Sequence, residues 1–262
     1  MNFNIDSFYV NGKLHGHQGQ DYALHGDNYF IICDGCSSSK HSDVAARLQA
    51  HIAKKFMDTF AFSAYDIEDN NFLVRFIATK LEEMFHKLFI DDFPLATLMI
   101  GFVMDDTLRV IVVGDGAIVY KNKHLDRKII TIEYNNSAPF YPYYYTSEKI
   151  KNEYKEKYPK VIKKTIYEIF YEYSTVERID DIFIEDFDID KLEYLYIFSD
   201  GIGELTGQQG KLPVFKAVEK FIDMKNINGT FIQRRCKRQM KIYEKESIFP
   251  QDDFSMAGVY IK

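Results

Sequence analysis

Tryptophan is absent from the 262 residues, and only six are proline and three cysteine. Cys33, Cys36 and Cys236 are odd in number and lack paired spacing. That excludes a disulfide framework and suits a reducing cytoplasm. Nowhere does an apolar stretch reach the roughly 18 residues needed to span a bilayer. The opening residues, Met1-Asn2-Phe3-Asn4-Ile5-Asp6, show no basic segment followed by an apolar one, so no signal peptide is expected. Positive charge is not in excess either. The net charge is -6, which argues against nucleic acid or an anionic membrane as partner, because both require a basic face. It fits an acidic cluster neutralised by cations.

What is abundant is apolar material, 46% of the chain, with 22 Phe and 19 Tyr. Tyrosine hydroxyls need partners when buried, so many are expected at the rim of the core. Tyr29-Phe30-Ile31-Ile32-Cys33 is a continuous apolar run ending at Asp34-Gly35, the pattern of a buried strand. Further strands are expected at Ala96–Met104, Leu108–Val113, Ala117–Tyr120, Glu193–Phe198 and Phe254–Ile261. Asp105-Asp106 reads as a hairpin turn between two of them. Val44, Ala45, Leu48, Ile52 and Phe56 follow helical spacing, with Ser42 or Asp43 as a cap. A second helix is expected over Phe72–Phe89, a third from Pro213 to Ile222, and a fourth from Thr230 to Tyr243. The stretch 121–190 is polar, rich in Tyr and Lys, and carries Pro139, Pro142 and Pro159. It reads as an irregular, flap-like insertion within a single domain spanning 1–262.

Acids fall at the strand boundaries. Asp34, Asp115, Asp200 and Asp252 each sit at one, three of them beside glycine, and Asp21 precedes another short strand. Any single Asp-Gly pair is a turn signal. Together they point elsewhere: strand ends on one side of a sheet converge, and converging carboxylates repel unless a cation lies between them. Hard oxygen ligands suit Mg²⁺ or Mn²⁺. Sulfur and nitrogen ligands at zinc spacing are too few.

Gln20-Asp21, Cys33-Asp34-Gly35, Gly114-Asp115-Gly116, Ser199-Asp200-Gly201 and Asp252-Asp253-Phe254-Ser255 resemble, in order, the motifs of the protein phosphatase 2C family. Ala96-Thr97 resembles its small-Thr strand motif. The resemblance runs from about residue 10 to 262 and is to a divergent, bacterial- or phage-like member. It implies an α+β fold, a four-layer α-β-β-α sandwich of two antiparallel sheets flanked by paired helices. It implies hydrolysis of phosphoserine and phosphothreonine in a phosphoprotein or phosphopeptide by a metal-activated water. By matching position, Asp34 would bridge two Mn²⁺ or Mg²⁺ ions and Gly35 would add its carbonyl. Asp200 and Asp252 would ligate one ion, Asp21 would stand in the shell of a bound water, and Asp115 with Glu204 would hold a weaker third metal.

The sequence departs from the family around the phosphate. Cys36-Ser37-Ser38-Ser39 follows Asp34-Gly35 where His or Met and glycines are usual. Gly16, flanked by His15 and His17, stands near the place of a phosphate-binding Arg, and Ala117 where the motif usually ends in Arg. His15 or His17 is a candidate for orienting phosphate and His41 for the general acid, each against the plain reading of a surface histidine. Two readings therefore stand beside the phosphatase: a catalytically weak binding or regulatory module, and a small-molecule phosphatase.

Three other patterns have simpler readings. Cys33 and Cys36 have C-x-x-C spacing but no helix start after the first, so a core thiol and a site-edge thiol are expected. The basic run Arg234–Arg238 reads as a solvated helix surface. Tyr141, Tyr143, Tyr144 and Tyr145 suit a peptide-binding edge or simple packing equally well.

Overall fold

The computed structural model describes residues 2–16, 18–59, 70–88, 92–125, 127–134, 138–158, 162–168, 171–177 and 182–262. In chain order the strands and helices begin β1 (Phe3–Val10), β2 (Asp21–His25), β3 (Tyr29–Asp34), α1 (Ser42–Thr59) and α2 (Asn70–Lys87). Then come β4 (Leu98–Met104), β5 (Thr107–Val113), β6 (Gly116–Asn122), β7 (Arg127–Tyr134), α3 (Glu148–Lys157), β8 (Ile162–Glu168) and β9 (Tyr171–Glu177). The remainder are β10 (Phe183–Asp188), β11 (Leu192–Phe198), β12 (Leu205–Gly207), β13 (Gly210–Lys211), α4 (Val214–Ile222), α5 (Phe231–Lys245), β14 (Phe249–Pro250) and β15 (Phe254–Ile261).

Two antiparallel sheets stack face to face. One has seven strands in the order β1-β15-β11-β6-β7-β8-β9, the other five in the order β10-β5-β4-β3-β2. Pleating sends alternate side chains of each strand to opposite faces. Phe30 and Ile32 of β3 therefore meet Leu195 and Ile197 of β11 between the sheets. Tyr29, Ile31 and Cys33 face outward and are covered by α1 and α2. Tyr194, Tyr196 and Phe198 face outward on the other side, beneath Phe221 of α4 and Phe231 of α5. Both faces of these strands are buried, which is why they read as unbroken apolar runs. The four-layer α-β-β-α sandwich is the expected fold. The β4–β5 hairpin turns at Asp105-Asp106, with Asp105 at φ 49°. Among the described residues no helix is long and apolar enough to cross a membrane.

The stretch 121–190 differs from its expected irregularity. Its described residues form β7, α3, β8, β9 and β10, and β7 to β9 extend the seven-stranded sheet. Lysines and prolines masked two regular patterns. Ile129, Ile130 and Ile132 of β7 are buried. Phe183 and Phe187 of β10 point inward while charged neighbours face water, as an edge strand requires. Most of the tyrosine run is packing: Tyr143 and Tyr145 are buried, Tyr144 stacks on Tyr154 and Phe140 meets both edge-on, while Tyr141, also buried, lines a cavity at one end of the sandwich.

Candidate metal centre

Five carboxylates reach one end of the sandwich because their strands end there. Asp21 opens β2 directly opposite Asp34, which closes β3. The backbone at Asp34 is locked from both sides: its N–H donates to Thr97 Oγ1 at 3.2 Å, and its carbonyl accepts from Thr97 N at 2.7 Å. Gly35 bridges to Ala96. Asp115 occupies the turn between β5 and β6, followed by Gly116 at φ 140°, where a Cβ would come within 2.6 Å of the Phe198 carbonyl. Only glycine fits so tight a turn. Asp200 follows β11 on a short 3-10 turn, Asp200–Gly203, and Asp252 lies two residues before the first residue of β15. Gly201 lets that turn lie against the Asp253 carbonyl, which a Cβ would meet at 1.8 Å.

Between these ends lies a cavity of about 580 Å³ whose lining includes Asp34, Gly35, Asp115, Asp200, Glu204 and Asp252. Cys36, Ser38, Thr131 and Tyr141 contribute neutral polar groups to its walls, and among the described residues no Lys, Arg or His lines it.

The carboxylates are under electrostatic pressure. Burial, then repulsion from Asp21 and Asp200, holds the Asp34 carboxyl well above the usual carboxylate range. Burial pushes Asp21 up to about 7. Burial with repulsion from Asp200 pushes Asp115 up to about 8. Asp200 rises to about 6, again mainly through burial, with Asp252 and Glu204 repelling it. Asp252 is raised by burial as well. Asp21 neighbours Asp34, Ser199 and Ser255, yet neither of its buried oxygens makes a well-formed hydrogen bond. Unsatisfied oxygens and mutually repelling carboxylates are relieved by a cation in their midst. The donor set is hard oxygen, which fits Mg²⁺ or Mn²⁺. Among the described residues no group of three or more His, Cys, Asp or Glu side chains is placed to hold a metal ion as it stands.

The sequence profile of the protein phosphatase 2C family matches residues 14–234. The chain belongs to the protein phosphatase 2C family. Membership makes it a phosphatase by class. Solved structures agree on the fold. The serine/threonine phosphatase Stp1 from Staphylococcus aureus superposes with a TM-score of 0.62 at 15% identity, covering 100% of this chain and 96% of that one. The Mycobacterium tuberculosis serine/threonine phosphatase PstP/Ppp gives 0.61 at 9% identity, with 100% of both chains covered. The catalytic domain of PstP in complex with two manganese ions gives 0.54 at 10% identity, covering 98% and 97%. Compared by sequence with curated proteins, the chain matches none.

Within this phosphatase 2C fold the expected residues fall into two groups. Asp34, Gly35, Asp115, Asp200, Glu204 and Asp252 share the cavity, and Asp21 lies behind Asp34. Glu204 is also held by Lys211, whose Nζ donates to its Oε1 at 2.6 Å. His41 sits exposed on the turn before α1, outside the cavity lining. His17 lies outside the described residues. Cys36 lines the cavity, its Sγ 3.0 Å from Ser38 Oγ, whereas Cys33 is buried and pushed up to about 12 by burial, an inert core thiol. Arg234, Lys237 and Arg238 are exposed on α5, as a solvated helix surface, while Arg234 also donates to the carbonyls of Asn226 and Asn228 in the α4–α5 connection and Arg235 to that of Lys220 in α4.

Sequence reasoning passed over Asp253, the second half of an Asp-Asp pair. It is buried, and its carboxylate accepts Gly12 N at 2.6 Å, Asp21 N at 3.2 Å and Gln20 N. The chain carrying Asp21 is thereby tied to the chain carrying Asp252. Nothing in the sequence separates the two adjacent aspartates, since the donors lie more than 230 positions away.

Proposed function

We propose that this chain hydrolyses phosphoserine and phosphothreonine in proteins with two Mn²⁺ or Mg²⁺ ions held by its converging aspartates. The observation that supports the reading is the cavity floor, where Asp34 is crowded by Asp21 and Asp200, and neither buried oxygen of Asp21 makes a well-formed hydrogen bond. Asp34 would stand between the ions with the Gly35 carbonyl beside it. Asp200 and Asp252 would hold one of them, and Asp115 with Glu204 a weaker third. Such ions, when bound, activate water and offset charge on phosphate oxygens. The protein's own groups orient and enclose. Thr97 fixes the backbone at Asp34, and Cys36, Ser38 and Tyr141 offer neutral hydrogen-bond donors along the walls. Burial keeps the Tyr141 phenol protonated by pushing its pKa up, so it faces a phosphate as a donor. His17, outside the described residues, is kept as the proposed group for orienting phosphate, whereas His41, exposed and away from the cavity lining, has no geometric support as the general acid.

A second reading is a weakly catalytic binding module. It is favoured by the lack of any cationic side chain among the described residues lining the cavity, and by Ala117 and Cys36 within it. One assay separates the two. Phosphopeptide turnover that requires Mn²⁺ and disappears on chelation supports the enzyme. Mn²⁺ binding without turnover supports the module, and turnover indifferent to chelator defeats the metal assignment.

A further inference from the structure

We infer that His15 is a positioning residue that aims the Asp252 carboxylate at its cation. The inference rests on the metal reading above. His15 lies on the short 3-10 turn Lys13–His15, which the segment before β15 pins from several sides. Leu14 N donates to Gln251 O at 3.0 Å, Lys13 Nζ lies 3.1 Å over the Phe249 ring, and Gly12 N donates to Asp253 Oδ1. The imidazole is 16% exposed and reaches both aspartates: Nδ1 lies 3.1 Å from Asp253 Oδ2, and Nε2 lies 3.5 Å from Asp252 Oδ1. These are ion-pair separations, and neither ring nitrogen is aligned as a hydrogen bond.

Asp253 already accepts three backbone N–H groups and has no need of the imidazole. Asp252 has more to gain. It is 31% exposed, and besides His15 its Oδ1 accepts the Asp253 N–H at 2.8 Å. Both contacts fall on Oδ1, so Oδ2 is the oxygen presented to a cation. A ligating carboxylate held through its other oxygen loses fewer orientations on binding, and partners of this kind shift metal affinity by about 10–100-fold.

The test is Mn²⁺ titration of the metal-free protein by calorimetry, alongside melting of the chelated protein. His15→Ala is expected to weaken Mn²⁺ binding about tenfold, with the chelated melting temperature unchanged. His15→Gln, whose amide stands near the place of Nε2, is expected to recover most of the affinity. At saturating Mn²⁺ the kcat of His15→Ala should return towards the parent value while the Mn²⁺ requirement stays raised. Equal affinity in His15→Ala and the parent overturns the inference. So does a loss that accompanies a lower melting temperature and that Gln fails to repair. A parent protein that binds no Mn²⁺ overturns both this inference and the metal reading, which distinguishes the two failures.

Discussion

Asp21 and Asp253 are buried almost equally, at 2% and 1% exposed, and Asp253 accepts the backbone N–H of Asp21 itself. Their surroundings are opposite. In the clasp around Asp253, every donor is a backbone N–H supplied by a loop closing over it. On the floor around Asp21, the nearest charged groups are other carboxylates. A carboxylate surrounded by N–H groups is complete and holds chains together. One surrounded by its own kind lacks a cation. The same residue type at the same depth is therefore satisfied by backbone donors in one place and crowded by like charge in the other.

The comparison can be broken by substitution. Asp34→Ala removes the centre of the repelling set. It should lower Mn²⁺-dependent phosphopeptide hydrolysis by about 10³-fold or more, with Asp200→Ala close behind, and neither should lower the melting temperature of the chelated protein. Asp253→Ala should do the reverse to the fold. Three backbone donors lose their acceptor, costing about 3 kcal/mol, seen as a lower melting temperature even with chelator present.

The floor should also respond to pH. Its folded pKa values stand at about 6 for Asp200, 7 for Asp21 and 8 for Asp115, against about 4 in the unfolded chain. The folded state thus binds protons more tightly. That contribution is complete below about pH 4 and is lost as pH rises through about 6 to 8. The chelated protein should melt several degrees lower at pH 8.5 than at pH 5.5, and saturating Mn²⁺ should remove most of the difference. A chelated protein more stable at pH 8.5 would remove the argument for a crowded floor.

The smallest effect sharpens the contrast from outside. Asp186 lies exposed and receives a forked pair from Arg109, at 2.7 and 2.8 Å. Asp186→Asn should cost under about 1 kcal/mol and leave Mn²⁺ affinity unchanged.

How much of this was legible follows the same physics. Strands such as Tyr29–Asp34 and Leu192–Phe198 were readable because both their faces are buried, and the converging aspartates because they stand where those runs stop. The helices over 42–59 and 231–245 followed from spacing and caps. β7 and β10 were hidden by lysines and prolines nearby and by edge charges. The clasp on Asp253 and the contact of His15 with Asp252 were hidden for a deeper reason. Both are defined by partners at the far end of the chain, and no local pattern encodes a donor 241 residues away.

Gly12 and Asp253 meet across nearly the whole length of the polypeptide, and β1 pairs with β15. On the ribosome, β1 can pack on β2 but has no strand to pair with, and the loop after it has nothing to close upon, until the residues beyond 250 emerge. Synthesis from N- to C-terminus thus keeps the site unfinished until β15 is released.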